Sequence, residues 1–198
     1  CYRRLTKNTE HMDREQLKID CVDGDGLSWH KFFAYDPKTG NLVWKERPRN
    51  HFASESRCKA FNTAFANVTA GCNHGCGYIT VGIMGKQYLA HRIIWEMHYG
   101  PIPHGVQIDH VNGVRSDNRI GNLRLADANQ NAYNKVGSKP NGCGLKGVRK
   151  NTSGPLWSAQ ITHAGRKIHL GSFANKLLAY DAYIQAAINY HGSYARFS

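Results

Sequence analysis

The sequence holds four polar residues whose types suit hydrolysis of a phosphodiester bond: Asp109, His110, Asn122 and Asn131. That reaction needs a deprotonated water in line with the leaving group and a cation that neutralises charge on the leaving oxygen. A neutral imidazole is an apt general base near pH 7. A carboxylate and an amide oxygen together make a weak, hard-oxygen metal site with room for waters and phosphate oxygens.

The elements around this cluster follow the order strand, loop, strand, helix. The first strand ends in Asp109 and His110, and the loop after it carries Asn-Gly and Asp-Asn turn signals. Residues Asn122–Ala126 are predicted to form the returning strand. Asp127 is a good N-cap, so Asn131 lies in the first turns of a helix. This order is expected to bring Asp109, His110 and Asn131 to one side.

Two hairpins and a helix are predicted upstream of the cluster. Residues 33–44 have an apolar start, a Pro-Lys-Thr-Gly turn and an apolar return, which indicates a hairpin. Residues 77–89 alternate in polarity and turn at Gly85, which indicates a second hairpin. Residues 91–99 predict a helix that Gly100 and Pro101 terminate. Residues 45–76 are expected to be loop-like.

Over residues 77–134 the chain resembles the HNH nuclease family, whose core is the ββα-metal fold, in the variant with Asn at the third position. The matching flanks are Gly77-Tyr78, Tyr88-Leu89-Ala90-His91-Arg92, Trp95, Asp117-Asn118-Arg119-Ile120 and Asn122-Leu123-Arg124. They are typical of phage-encoded and homing-type members. The resemblance implies that Asp109 and Asn131 are metal ligands, His110 the general base and Asn122 the residue that orients it. It also implies a divalent cation, Mg²⁺ with Mn²⁺ as the alternative.

The last quarter of the chain has a pattern of its own. Three short strands are predicted over 146–150, 156–162 and 167–173, followed by a helix from an Asn175 cap to a Gly192 stop. One stripe of that helix is expected to pack on the sheet: Ala179, Ala182, Tyr183, Ala186, Ala187 and Tyr190.

Residues 145–198 resemble the DNA-binding domain of plant APETALA and ethylene-response transcription factors, which phage HNH nucleases often carry after their catalytic core. In that family the sheet lies in the major groove. By position the resemblance implies these DNA contacts: Arg149, Lys150, Trp157, Gln160, Thr162, Lys167 and His169. Thr162 and His169 stand where the plant domain commonly has Arg and Trp, so the plant target sequence does not carry over. Trp157 is equally well explained as a core residue.

Charge supports a polyanionic partner. The chain of 198 residues has 26 Lys and Arg against 14 Asp and Glu, a formal net charge of +12, which favours nucleic acid. Residues 145–198 hold seven basic residues and one acid, hence half of that charge. No apolar run reaches the roughly 18 residues of a membrane span, and no signal-peptide core is present.

The cysteines are scattered at positions 1, 21, 58, 72, 76 and 143, which favours reduced thiols in a cytoplasmic protein. Cys72, His74 and Cys76 could offer zinc ligands. Their spacing is one residue longer than the usual pair and no second pair stands nearby, so structural zinc is not expected.

We therefore predict an α+β chain with an N-terminal extension (1–29), an HNH nuclease domain (30–134), a linker (135–144) and a DNA-binding domain (145–198). The expected function is metal-dependent cleavage of double-stranded DNA. One alternative is a non-catalytic DNA-binding or regulatory protein on the same scaffold, for which a broken Asp109/His110/Asn131 set is expected. Another is a general RNA-binding protein, which the absence of exposed aromatic platforms disfavours.

Overall fold

The computed structural model describes residues 22–23, 26–135 and 143–197, and these mix helices and strands as the α+β class requires. The strands are β1 (Val22–Asp23), β2 (Gly26–Leu27), β3 (Phe33–Asp36), β4 (Asn41–Trp44), β5 (Cys72–His74), β6 (Tyr78–Ile83), β7 (Lys86–Leu89), β8 (Gln107–His110), β9 (Leu123–Ala126), β10 (Val148–Lys150), β11 (Trp157–His163) and β12 (Arg166–Phe173). The helices are α1 (Glu55–Phe65), α2 (Ala90–Tyr99), α3 (Ala128–Tyr133) and α4 (Lys176–His191). None of the helices in these ranges combines the length and apolar character that crossing a membrane demands.

The chain divides into two compact units. Of the described residues, the first unit holds those up to Pro103 together with Val114–Leu123, and the second holds His104–Gly113 and those from Arg124 onward. Most of the predicted N-terminal extension and of the predicted linker lies outside the described residues. The four predicted domain ranges therefore stay predictions.

In the first unit the two predicted hairpins and the helix between residues 90 and 99 are confirmed. Strands β3 and β4 pair antiparallel, as do β6 and β7, and β5 adds a third strand beside β6. The turn between β6 and β7 contains Met84 and Gly85, both at positive φ (49° and 76°), which matches the twist of a tight hairpin. Helix α2 packs on this second sheet and buries Ile93 and Ile94.

The expectation that residues 45–76 are loop-like is wrong, because they contain helix α1 and strand β5. Helix α1 begins after Ser54, whose hydroxyl oxygen accepts a hydrogen bond from a backbone N–H of the first turn (3.3 Å). Its inward side chains are Cys58, Phe61 and Phe65, at spacings of one helical turn, with Phe61 and Phe65 ring centroids 5.0 Å apart. This short apolar stripe is the sequence pattern that indicates a helix, and it is hard to recognise because most of its neighbours are polar.

The loop that precedes β9 is held by the β3–β4 hairpin. The Tyr35 hydroxyl oxygen accepts a hydrogen bond from the backbone N–H of Ile120 (2.8 Å). Gly40, in the hairpin turn, has a φ of 76°, and a Cβ at this position would stand 2.4 Å from the backbone nitrogen of Arg119. Only glycine allows the two backbones to approach so closely.

The second unit contains the predicted strand, strand and helix of the polar cluster. Strands β8 and β9 form a two-stranded sheet, and α3 follows directly. Asp127 accepts a hydrogen bond from the Gln130 backbone N–H (2.8 Å), and the Gln130 side chain accepts one from the Asp127 N–H (2.9 Å). This reciprocal capping box fixes where α3 begins, as predicted. Asn122 lies in a 3-10 turn (Ile120–Asn122) rather than in the strand, so β9 is one residue shorter than expected.

The same unit contains the predicted three-stranded sheet and helix. Strands β10, β11 and β12 are antiparallel in sequence order, and α4, capped by Asn175, packs on one face. The buried residues between sheet and helix form two clusters, one of Val148, Ala159 and Ala179 and the other of Ile161, Tyr183, Ala186 and Ala187. Small alanines let the helix lie close to the sheet. Tyr190, expected in the buried stripe, is 44% exposed, because His191 stands four residues after Ala187 and takes the inward place.

The end of α3 is joined to this sheet and helix. The Tyr133 ring stacks on His191 with centroids 3.8 Å apart, and its hydroxyl oxygen accepts a hydrogen bond from the Ala164 N–H (2.9 Å). The Lys146 amine donates to the carbonyl oxygens of Tyr133 and Lys135 (2.8 Å each), and burial lowers the pKa of Lys146 to about 8. Burial also lowers the pKa of His191, which favours the neutral ring.

Gly147 gives a test of this packing. Its φ is 75°, and an added Cβ would stand 2.1 Å from the Tyr183 ring. We expect Gly147→Ala to lower the free energy of unfolding by roughly 2–5 kcal/mol, from backbone strain and overpacking together. The matched control is Gly154→Ala, because nothing lies within 4 Å of a Cβ there. Urea unfolding followed by circular dichroism measures both, and equal losses in the two variants would contradict this account of the core.

Candidate active site

The two adjacent residues Asp109 and His110 end strand β8 as buried side chains, 5% and 4% exposed. Ile108, just before them, is buried as well. A buried carboxylate is costly unless it is paired and hydrogen-bonded, so its partners determine whether this strand end can exist.

The Asp109 carboxylate has two partners in the same unit. Arg124, from strand β9, donates from its Nε to Oδ2 (2.8 Å), and its second terminal nitrogen lies 2.8 Å from the same oxygen. Asn134, at the C-terminal end of α3, donates from Nδ2 toward Oδ1 (2.9 Å) and Oδ2 (3.0 Å). A mostly buried charge pair of this geometry is much stronger than a surface ion pair.

Arg124 is itself fixed by the C-terminal residues. Its other terminal nitrogen donates to the carbonyl oxygen of Ser193 (2.7 Å), and its guanidinium carbon lies 3.9 Å from the ring centroid of Tyr194. The Tyr194 hydroxyl donates to the carbonyl oxygen of Leu125 (2.7 Å), which seats the ring beside β9. The counter-ion of Asp109 therefore has a defined position.

The backbone of His110 is fixed by two hydrogen bonds. Its carbonyl oxygen accepts from the Asn134 side chain (2.7 Å) and from the Gly113 N–H (2.8 Å), which closes the turn after β8. Asn134 thus holds both residues of the Asp-His pair from one amide group, and it is only 6% exposed.

The other two predicted site residues have different surroundings. The Asn131 side-chain amide donates to the side-chain oxygen of Gln107 (2.5 Å), at the start of β8. Asn122 belongs to the first unit, where its amide donates to the carbonyl oxygen of Asp117 (2.8 Å). The roles predicted for Asn131 as a metal ligand and Asn122 as an orienting residue stay predictions.

Sequence reasoning missed the two residues that hold Asp109. Arg124 was noticed only as part of a flanking motif, and Asn134 was not singled out. Asn134 follows Asn131 by three residues on a short helix, which puts both on one face. That spacing was the available sequence signal for Asn134. The contact of Arg124 with Asp109 depends on the pairing of two strands, so residue spacing alone did not predict it.

The donors at this site fit a hard divalent cation. Asp109 supplies a buried carboxylate and Asn131, on α3, carries an amide oxygen; oxygen donors of these types are what Mg²⁺ prefers. The Asn134 amide beside Asp109 is not such a donor, because its N–H groups face the carboxylate. Among the residues that the structure describes, no group of three or more His, Cys, Asp or Glu side chains could hold a metal, around Cys72 and Cys76 or elsewhere. A cation would therefore depend on one carboxylate, with amide oxygens, water and substrate phosphate completing its shell.

The C-terminal sheet presents a polar face on the side away from α4. Ala159 and Ile161 of β11 point into the core, so Gln160 and Thr162, which alternate with them, lie on the opposite face. Strand register places Gln160 opposite His169 and Thr162 opposite Lys167. This outer face carries five of the predicted DNA-contacting residues: Arg149, Gln160, Thr162, Lys167 and His169.

The remaining two predicted DNA contacts lie on the other side of the sheet. Trp157 packs against the buried cluster that includes Ala179. Lys150 pairs with Trp157 across the strands and is exposed. The core explanation of Trp157, left open by the sequence, therefore agrees with its packing.

Part of this chain is similar to known proteins of viruses. A family model described as HNH endonuclease matches residues 88–133. Protein 3.8 of Escherichia phage T7 is 35% identical over 108 residues, 54% of this chain and 88% of the phage protein. An uncharacterized HNH endonuclease of Acanthamoeba polyphaga mimivirus is 39% identical over 97 residues, 46% of this chain and 49% of the viral protein. No solved structure gives a significant match.

Asn131 and Asn134 are expected to contribute differently to the stability of the fold. Asn134→Ala leaves the buried carboxylate of Asp109 and the His110 carbonyl with fewer donors, which should lower the free energy of unfolding by about 1–3 kcal/mol. Asn131→Ala removes one hydrogen bond to Gln107 near the surface and should cost within about 0.5 kcal/mol. Urea unfolding of the two variants measures the difference. Equal losses would show that Asn134 does not support the Asp-His pair.

Proposed function

Because this chain belongs to the HNH endonuclease family, we propose that it is a metal-dependent endonuclease that hydrolyses phosphodiester bonds of double-stranded DNA. The observation that carries the proposal is the Asp-His pair at the end of β8, with Asp109 buried and its carboxylate held from two sides. A carboxylate next to a histidine can supply the metal ligand and the general base that this hydrolysis needs.

His110 acts as the general base. It accepts a proton from a water whose oxygen then forms a bond to phosphorus, while the bond from phosphorus to the leaving oxygen breaks. The hydrogen bonds that Asn134 and Gly113 donate to its carbonyl oxygen fix the main chain of His110, so the base is attached at a defined backbone position. The resemblance to the family assigns to Asn122, on the loop held by Tyr35 and Gly40, the role of orienting the base.

Asp109 and Asn131 would hold the divalent cation, Mg²⁺ with Mn²⁺ as the alternative. When bound, the cation neutralises charge on the phosphate and on the leaving oxygen. Removal of the cation is expected to stop cleavage without unfolding the chain, because Arg124 and Asn134 already satisfy the carboxylate.

The outer face of the C-terminal sheet supplies target affinity. It presents Arg149 and Lys167 as cations for phosphates, and Gln160 as a side chain able to read a base edge. The net charge of this part of the chain favours the same partner. The chain would act as a homing-type or phage endonuclease in the cytoplasm of a bacterial host.

Cleavage of phage and host DNA tests the catalytic proposal. With Mg²⁺ the wild-type chain should cut, and 5′-end mapping should show one or both strands broken. We expect His110→Ala to lose cleavage by at least a hundredfold while DNA binding persists, since general-base catalysis contributes factors of about 10²–10⁴. Asp109→Asn and Asn131→Ala should also lose cleavage. Chelation with EDTA should abolish it and Mg²⁺ should restore it.

The matched control for these variants is Asn129→Ala, an exposed amide on the same helix as Asn131. It should cut like the wild type. Wild-type-like cutting by His110→Ala would refute the base assignment. Binding without any cutting by the wild type, with each divalent cation, would favour the non-catalytic alternative instead.

The salt dependence of binding tests the role of the sheet. Arg149→Ala combined with Lys167→Ala should weaken DNA affinity and lower the slope of log affinity against log salt by about one unit for each cation lost. The control is Lys176→Ala, an exposed cation at the start of α4 and off the outer face. If the control weakens binding as much as the double variant, the sheet is not the binding face.

A further inference from the structure

Arg124 occupies a position that the proposed reaction does not explain. Both of its nitrogen contacts to Asp109 fall on one oxygen, Oδ2. A full positive charge thus stands beside the carboxylate proposed to hold a divalent cation. The side chain of Arg124 is 18% exposed and that of Asp109 is 6% exposed, so little water lies around the pair to screen it.

The C-terminal residues hold Arg124 in this position. The carbonyl oxygen of Ser193 accepts a hydrogen bond from one terminal nitrogen of Arg124, and the Tyr194 ring lies against the face of the guanidinium. The Tyr194 ring is held in turn by the hydrogen bond that its hydroxyl donates to the carbonyl oxygen of Leu125. An arginine held by a salt bridge, a carbonyl and an aromatic ring cannot easily swing away from the carboxylate.

Two effects of Arg124 on a metal at Asp109 oppose each other. Holding the carboxylate in one orientation favours binding by about threefold at most, the gain from selecting one of three rotamers. Repulsion between the guanidinium and a doubly charged ion a few ångströms away corresponds to roughly tenfold in affinity even at the dielectric constant of water, and to more in a buried site. Repulsion is the larger effect.

We propose that Arg124 is a built-in counter-ion that keeps the affinity of the free protein for divalent cations low until a DNA phosphate adds negative charge. Ser193 and Tyr194 are positioning residues that hold Arg124 for this role. The proposal rests on the proposed function, because it takes Asp109 as a metal ligand. In consequence, metal and DNA bind cooperatively, and the site is filled only where a backbone is ready to be cut.

Titration of the metal-free 198-residue chain with Mn²⁺, followed by electron paramagnetic resonance, tests the proposal. Arg124→Gln should tighten Mn²⁺ binding about tenfold. Arg124→Lys keeps the charge and should stay within about threefold of the wild type. Adding Asp109→Asn to Arg124→Gln should remove the gain, which places the effect at this carboxylate.

Substitution of Tyr194 gives a second route that does not remove the arginine. Tyr194→Leu takes away the ring that holds the guanidinium and should tighten Mn²⁺ binding about threefold, whereas Tyr194→Phe keeps the ring and should change it less. In the Arg124→Gln background, Tyr194→Leu should have no further effect, because its action runs through Arg124. This route keeps the proposal testable if Arg124→Gln does not fold.

The coupling to DNA is measured in the His110→Ala background, where cleavage is blocked. A short duplex should tighten Mn²⁺ binding in that protein, and the gain should shrink about tenfold when Arg124→Gln is added. Unchanged or weaker Mn²⁺ binding by both Arg124→Gln and Tyr194→Leu would overturn the inference. No Mn²⁺ binding by any variant, with or without duplex, would overturn it as well.

These outcomes are separable from failure of the proposed function. If the wild type cuts DNA and Asp109→Asn does not, yet Arg124→Gln binds Mn²⁺ no more tightly, only the counter-ion role fails. If no protein cuts DNA and Asp109→Asn leaves Mn²⁺ binding unchanged, the nuclease proposal itself fails.

Discussion

Burial of the Asp109 carboxylate is the constraint on which the rest of the site depends. Strand β8 carries its acid inward, and an ion in such a place costs several kcal/mol unless charge and hydrogen bonds compensate it. Arg124 supplies the charge and Asn134 supplies the hydrogen bonds. Removing one partner of a buried pair of this kind typically costs about 3–5 kcal/mol. Strand β9 and the end of α3 are therefore joined to β8 by a charge pair and hydrogen bonds as well as by apolar packing.

That constraint explains why the second unit combines the short strand–strand–helix motif with the C-terminal sheet and helix. A two-stranded sheet with a six-residue helix buries too little apolar surface to be stable alone. The stacking of Tyr133 on His191 and the hydrogen bond from the Lys146 amine to the Tyr133 carbonyl oxygen tie the end of α3 to the larger core. Ser193 and Tyr194 contact Arg124, and Arg124 in turn contacts the Asp109 carboxylate, so the C-terminal residues also help to position that carboxylate.

Much of this architecture could be predicted from local signals. Turn residues identified the hairpins, Asp127 and Asn175 marked where α3 and α4 begin, and alanine spacing identified the face of α4 that packs on the sheet. Helix α1 was missed because its stripe of Cys58, Phe61 and Phe65 is brief and its neighbours are polar. The salt bridge to Asp109 was missed for a different reason: Arg124 meets Asp109 only through the pairing of β8 with β9, and Tyr194 meets Arg124 only through tertiary packing.

The same contacts change how removal of the C-terminal part must be interpreted. A chain cut before the C-terminal sheet loses the outer face with Arg149 and Lys167, and with it most of the proposed phosphate attraction. It also loses Ser193 and Tyr194, so Arg124 is released from its fixed position beside Asp109. Loss of cutting by such a chain would therefore combine weaker DNA affinity with an altered carboxylate. Point substitutions on the outer face of the sheet separate the two effects, because none of those side chains contacts Arg124.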